Sequence, residues 1–241
     1  MRPWIAAALR AAGALAAAAV LAGGGWYGYE AAASRPIAAV RFTGDTARVG
    51  AVELERLASG IRGRVWREVS LADVREAARR LPWVCESSVR RVFPATIEIA
   101  VEAHEALARW DDTHLVSVRG EVFAAETAEA LPRFSGPEGA AAEMAAAWPR
   151  IDRAAAGLGS PVTELRLSER RAWQARLASG LAIELGRGDV EARLARFAAA
   201  WPQVAAEAGD ATHADLRYPN GFALRGGAAQ ERRNAPKGRR A

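Results

Sequence analysis

The stretch that decides the fold is residues 87–101, SSVRRVFPATIEIAV. It predicts two strands, Ser87–Val92 and Thr96–Val101, on either side of a turn at Phe93-Pro94. Successive side chains of a strand point to opposite faces, so the second strand has an apolar face and a second face that is mostly polar. The apolar face consists of Ile97, Ile99 and Val101, and the other of Thr96, Glu98, Ala100 and Glu102. This alternation is typical of a half-buried sheet.

Three further elements precede this hairpin. Pro36 opens a predicted strand, Ile37–Phe42, and a short helix follows at about Val52–Leu57, closed by Gly60. A second helix is expected to begin at Ser70, because Asp73 three residues later completes a capping box, and to stop at Pro82. The predicted order is therefore β-α-α-β-β.

Residues 104–226 predict a mostly antiparallel sheet domain with helices packed on it. The Asn220-Gly221 pair between the last two strands is the strongest short hairpin signal. One helix is expected over Ala140–Trp148, stopped by Pro149, and another after a cap at Asp189, ended by Pro202. The predicted strands are Leu107–Trp110, His114–Val118, Glu121–Phe123, Val162–Leu167, Ala172–Leu177, Leu181–Leu185, Ala214–Tyr218 and Phe222–Leu224.

The N-terminal segment predicts a membrane anchor. Residues 11–29 carry no charge and as a helix span about 28 Å, close to the thickness of a bilayer core. Arg2 and Arg10 make the preceding flank positive, which predicts a cytoplasmic N-terminus and export of everything after Tyr29. A cleaved signal peptide, with its cleavage site at 31–33, is the open alternative and places the body in the same compartment.

The positive net charge of +5 is located at the chain ends. Of the 33 basic residues two lie before residue 35 and five after residue 227, which leaves 26 basic residues in the body against 26 acidic ones. A nucleic-acid surface needs a charge surplus on the folded body, so the sequence does not predict one. The tail, residues 227–241, is basic and poor in apolar residues and is predicted to be disordered.

No pattern in the sequence indicates catalysis or a metal. Cys85 is the only cysteine, and the three histidines, His104, His114 and His213, have no spacing typical of metal ligands. The tripeptide Arg-Gly-Asp at 187–189 is expected to be a turn before a helix. We therefore predict no enzymatic activity, no cofactor, no metal and no small-molecule substrate.

What remains is a protein-binding surface. The last predicted strand, Phe222–Leu224, ends the folded region, and a terminal strand often lies at a sheet edge that a partner strand can complete. Tyr218 and Phe222 are candidate side-chain anchors beside it. The alternative is that both aromatic side chains only pack in the core.

Four stretches resemble the FtsQ/DivIB family of division proteins, and together they cover nearly all of residues 36–226. The first is Ile37–Gly44, and the second runs from the Leu81-Pro82-Trp83-Val84 segment to Val101-Glu102. The third includes Ala106–Trp110 and the Gly120-Glu121-Val122-Phe123 segment. The fourth runs from Leu167 through Arg170-Arg171-Ala172-Trp173 to Asp215-Leu216-Arg217-Tyr218-Pro219-Asn220-Gly221-Phe222.

The resemblance implies an α+β protein of the inner membrane at the division septum. After a short cytoplasmic N-terminus (1–10) and a transmembrane helix (11–29) come a POTRA domain (36–103) and a β domain (104–226). The β domain is expected to bind FtsB, within a complex with FtsL, and the POTRA domain to contact other division proteins. The partner-binding residues that the resemblance implies are Arg170 or Arg171, Tyr218, Asn220, Gly221, Phe222, Ala223 and Leu224.

The sequence departs from the family pattern at three places. Ser117 stands where an aspartate is common, no tryptophan follows the last strand, and only three residues precede Trp4. Two other functions stay open at this point. One is a POTRA protein of another envelope complex, for outer-membrane assembly or secretion, and the other is an exported enzyme or ligand-binding protein.

Overall fold

A computed structural model describes residues 3–208 and 211–226, with side chains from residue 12 to 206 and from 211 to 226. The predicted disorder of the tail therefore lies outside the described residues. The chain divides into two compact units, Met1–Ala103 and His104–Ala241.

The first unit has the β-α-α-β-β order after an N-terminal helix. The elements are α1 (Pro3–Ala33), β1 (Ala39–Gly44), α2 (Ala51–Ser59), α3 (Leu71–Arg79), β2 (Val84–Val92) and β3 (Thr96–Ala103). The sheet has the order β1-β3-β2, with β1 parallel and β2 antiparallel to β3. The predicted helix over residues 11–29 is part of α1, but within the described chain no helix meets the length and hydropathy needed to cross a membrane.

Local sequence explains how this unit forms. The Ser70 hydroxyl accepts a hydrogen bond from the Asp73 backbone N–H at 3.2 Å, which confirms Ser70 as the cap of α3. Ile97, Ile99 and Val101 are buried in the core, as their alternation predicts. Glu98 points away from that core but is only 8% exposed, because it lies in the central strand between Arg90 and Arg41, which both pair with it.

The second unit is built on one nine-stranded sheet. Its strands are β4 (Ala106–Arg109), β5 (His114–Ser117), β6 (Val122–Ala124), β7 (Arg133–Ser135), β8 (Val162–Leu167), β9 (Trp173–Leu177), β10 (Ala182–Gly186), β11 (His213–Asp215) and β12 (Ala223–Arg225). The order is β12-β11-β10-β9-β8-β7-β4-β5-β6, and five of its eight pairings are antiparallel. The core includes Met144 and Ile151 of α4 (Ala141–Ala155) and Leu194 and Phe197 of α5 (Val190–Ala208). The predicted α+β class is confirmed.

Both predicted proline stops in this unit are wrong. Helix α4 continues past Pro149 to Ala155, and α5 continues past Pro202 to Ala208. An interior proline removes one backbone hydrogen bond and costs about 3 kcal/mol. In α4 that cost is offset because Met144 and Ile151, on one helix face, are both buried, and each such side chain contributes about 1.5–3 kcal/mol.

Candidate docking edge of the sheet

Strand β12 forms one edge of the nine-stranded sheet, and β11 is its only neighbour among the residues that the structure describes. Its free backbone groups can be identified from one hydrogen bond. The Thr212 N–H donates to the Arg225 carbonyl at 3.0 Å, so the peptide groups of Arg225 face β11. Backbone groups alternate in direction along a strand, and the N–H and C=O of Leu224 therefore face the free edge. A partner strand would find one donor and one acceptor there.

The predicted hairpin, with its turn at residues 219–221, has a longer loop than expected. Strands β11 and β12 are antiparallel, but residues 216–222 separate them, with a turn near Pro219 and Asn220. A two-residue hairpin needs pairing up to the turn, and here the last pair is Asp215 with Ala223. The loop places Tyr218 and Asn220 at the N-terminal end of the edge strand.

An ion pair between a buried carboxylate and an accessible arginine holds the start of this loop. Arg217 donates from Nε and Nη2 to the two carboxylate oxygens of Asp215, at 2.9 and 2.7 Å, and its backbone N–H donates to the same carboxylate at 3.1 Å. These hydrogen bonds lower the pKa of Asp215 to about 2 and raise the pKa of Arg217. Asp215 is 5% exposed, whereas the Arg217 side chain remains largely accessible, so the pair fixes the loop and presents a guanidinium at the surface.

Two arginines of α5 hold the loops at this end of the sheet. Arg196 donates to the Pro219 carbonyl at 2.9 Å, and Arg193 donates to the carbonyls of Leu185, Arg187 and Gly188 at 2.8 to 3.2 Å. The Arg-Gly-Asp tripeptide is thus part of a turn before a helix, as predicted. Between α5 and the loop lies a cavity of about 310 Å³, lined by Arg193, Arg196, Phe197, Leu216, Asn220, Gly221 and Phe222.

The two candidate aromatic anchors lie in different surroundings. Phe222 is half-buried, and its ring meets that of Phe197 edge-on at a centroid distance of 4.9 Å. Tyr218 is 53% exposed. The alternative that both only pack in the core is therefore wrong for Tyr218, and the structure leaves that ring available to a partner.

The structure does not place the upstream arginines beside the edge strand. Arg170 and Arg171 lie in the turn between β8 and β9, and β9 is three strand spacings, about 14 Å, from β12. Arg171 has a φ of 61° and pairs with Glu143 of α4. Arg170 is exposed and has no carboxylate partner among the described residues, which makes it the more available of the two.

Sequence reasoning missed the supporting residues Asp215, Arg193 and Arg196. The role of Asp215 could have been predicted from the sequence. Asp215 and Arg217 are two residues apart, and side chains at that spacing lie on one side of an extended segment. No sequence pattern indicated the roles of Arg193 and Arg196, because they donate hydrogen bonds to backbone carbonyls of loops outside their own helix.

Comparisons with known proteins give a family match for most of each of the two units. The family described as "POTRA domain, FtsQ-type" matches residues 35–104, and the one described as "Cell division protein FtsQ/DivIB, C-terminal" matches residues 108–217. The second match ends just before Tyr218, so the docking edge itself lies beyond it.

Three related proteins are similar to this chain over most of its length. A "Cell division protein FtsQ" of Burkholderia pseudomallei is 36% identical over 232 residues, which cover 92% of each chain. Proteins of the same name from Allochromatium vinosum and Xanthomonas campestris are 33% and 34% identical, over 86% and 83% of this chain and 84% and 72% of their own. All three names refer to division, none to outer-membrane assembly or secretion.

Proposed function

Because the chain belongs to the FtsQ/DivIB family of cell division proteins, we propose that it is a non-catalytic scaffold of the division machinery. Its second unit (104–226) binds FtsB, within a complex with FtsL, by adding a strand of FtsB to β12. The first unit (36–103) is its POTRA domain, which recruits the protein to the septum through other division proteins. No cofactor takes part in this function.

One observation carries the proposal for FtsB. Strand β12 is the end of the sheet and turns the N–H and C=O of Leu224 outwards, with exposed Tyr218 beside it. Backbone pairing supplies affinity in strand addition, and side chains near the edge supply specificity. The partner-binding set is Arg170 or Arg171, Tyr218, Asn220, Gly221, Phe222, Ala223 and Leu224.

The experiment removes the outward N–H and keeps the rest of the edge. We expect Leu224→Pro to weaken FtsB binding far more than Leu224→Ala, because both lose the leucine side chain but only proline lacks the donor. Binding is measured by biolayer interferometry, with circular dichroism as a check of folding. Equal binding by the two variants would show that FtsB does not pair with this edge.

A side-chain substitution tests FtsB binding at the same edge independently. Tyr218→Ala is expected to weaken binding at least tenfold, about 1.4 kcal/mol or more, since an exposed aromatic next to a pairing edge is a typical hot spot. Phe222→Ala is a poorer probe, because it also removes the contact with Phe197. Normal affinity of the Tyr218→Ala variant would place the contact elsewhere.

We further propose that α1 anchors the protein in the inner membrane, with the N-terminus in the cytoplasm. Residues 11–29 are uncharged, and Leu15, Val20 and Leu21 of this helix are exposed. The end of α1 is bound to the first unit, since Ala33 is 1% exposed within its core and Glu30 pairs with Arg67. In the folded protein residues 31–33 are helical and partly buried, so α1 continues directly into the first unit.

Mass spectrometry of the protein purified from membranes tests the anchor. The expected result is a mature chain that still contains α1 and stays in the membrane fraction after a carbonate wash. A chain that begins after Ala33 would identify α1 as a cleaved signal peptide instead.

A further inference from the structure

Three segments of the first unit meet where the unit joins α1. We call this surface the α1 end, and it consists of residues 33–38, 61–69 and 91–95. Backbone hydrogen bonds join the first segment to the other two. The Ile37 N–H donates to the Arg64 carbonyl at 2.8 Å. The Ala38 N–H donates to the Ala95 carbonyl at 2.9 Å, so the turn between β2 and β3 lies at the same end of the unit as the start of β1.

An arginine of β2 fixes the shape of the α1 end. Arg91 donates at 2.6 to 3.2 Å to three backbone carbonyls of the second segment, those of Trp66, Arg67 and Val69. The Trp66 indole N–H donates in turn to the Thr96 carbonyl of β3 at 3.1 Å. Contacts within the unit therefore hold the second segment against the turn between β2 and β3.

The proposed anchor leaves almost no spacer before this surface. Its uncharged span ends at Tyr29, and Ala33 is already 1% exposed in the core of the unit. Four residues of helix cover about 6 Å. Each headgroup layer of a bilayer is about 5–8 Å thick, so an anchor that ends at Tyr29 brings the α1 end to the level of the lipid phosphates.

The α1 end also carries a surplus of positive charge. Its three segments contain five arginines and one acidic residue, Glu68. Two of the arginines pair with carboxylates outside these segments, Arg62 with Glu55 and Arg67 with Glu30, which leaves a net charge of 5 − 1 − 2 = +2. This sign of charge suits an anionic lipid surface.

Three exposed side chains of the α1 end match the chemistry of the headgroup region. Phe93 is 60% exposed, although its ring edge meets Trp66 at a centroid distance of 6.3 Å. Arg35 and Arg64 are exposed, and neither forms an ion pair with a carboxylate among the described residues. Aromatic rings favour the boundary between lipid and water, and guanidinium groups bind phosphates with paired hydrogen bonds.

We propose that the α1 end docks on the anionic surface of the bilayer, with Phe93 among the headgroups and Arg35 and Arg64 on lipid phosphates. This inference rests on the proposed function, because it needs α1 as the membrane anchor. Docking fixes how the first unit stands on the membrane. Strand β1 runs about 17 Å from the α1 end, so its last residue, Gly44, lies on the side away from the bilayer.

The test measures how close each end of the first unit lies to lipid headgroups. The full-length chain, with Cys85→Ser, is placed in nanodiscs of phosphatidylcholine and phosphatidylglycerol that contain a lipid with a nitroxide on its headgroup. A bimane label on Phe93→Cys reports on the α1 end and keeps an apolar ring there. The same label on Val52→Cys is the matched control, because Val52 is also exposed and follows the far end of β1. We expect the label at residue 93 to be quenched at least about threefold more strongly than the label at residue 52.

Charge removal tests the contact with lipid phosphates. We expect Arg35→Gln combined with Arg64→Gln to reduce quenching of the label at the α1 end by about twofold or more, because both basic groups that attract anionic lipid are lost. The matched control is Arg79→Gln combined with Arg80→Gln. It also removes two exposed charges, but near the start of β2 at the other end of the unit, and is expected to change nothing.

Two results would overturn the proposal. Equal quenching of the labels at residues 93 and 52 would mean that the α1 end is not on the bilayer and is open to a protein partner instead. Quenching that survives the loss of Arg35 and Arg64 would refute the contact with anionic lipid. Circular dichroism checks that each variant is folded.

Recovery of the chain with the nanodiscs separates this inference from the proposed anchor. A folded chain that does not enter the nanodiscs would refute the anchor and the docking together. A chain that enters them but whose label at residue 93 is quenched no more than the control would refute the docking alone.

Discussion

At the scale of single residues, the loop of the docking edge depends on one carboxylate. Asp215 accepts three hydrogen bonds from Arg217, and its pKa in the folded protein is lowered from 3.8 to about 2. A lowered pKa means that the ionised form is stabilised by folding. The contribution of ionised Asp215 to the free energy of unfolding is therefore present above about pH 4 and is lost as the pH falls through about 2.

We expect Asp215→Asn to lower the free energy of unfolding at pH 7 by about 2 kcal/mol, because the charge-assisted pair with Arg217 is lost. The difference between variant and wild type is expected to shrink between pH 4 and pH 2, where the wild-type carboxylate becomes protonated. Urea unfolding at a series of pH values measures it. A difference that stays constant down to pH 2 would mean that the ion pair contributes nothing.

At the scale of elements, the sequence predicted what local patterns determine. The hairpin of residues 87–101 and the Ser70 cap of α3 are confirmed, because alternation and capping act between neighbours in the chain. The three-residue strand β7 was missed. It pairs in parallel with β4 and β8, and parallel partners are distant in sequence, so no short pattern records them.

In the candidate site, too, the position in the chain predicted some features, and tertiary packing determined the others. The edge position of the last strand followed from its place at the end of the folded region, and the structure confirms it. The roles of Phe222 and Tyr218 stayed open because burial depends on α5, which supplies Phe197 and Arg196 from a separate part of the chain. Tertiary packing, and not local propensity, decides which of the two rings a partner can reach.

At the scale of the whole molecule, the proposed recruitment and the proposed FtsB contact belong to different units. Each unit has its own hydrophobic core, one around Ile97 and Ile99 and the other around Phe134 and Leu165. A substitution on β12 can touch the core of the second unit through Leu224, but no residue of β12 belongs to the core of the first unit. The two proposed activities are therefore separable by mutation.

This separation predicts a specific phenotype in cells depleted of the wild-type protein, which are expected to grow as unseptated filaments. A fluorescent Leu224→Pro variant is expected to reach the division site through its first unit and yet to leave FtsB dispersed, so the filaments persist. Leu224→Ala, which keeps the outward N–H, is the matched control and is expected to restore septation and FtsB localisation. Microscopy of labelled FtsB and of the fluorescent variant measures both localisations. If the Leu224→Pro variant remains folded but fails to reach the division site, recruitment depends on the β domain. The assignment of recruitment to the first unit would then be wrong.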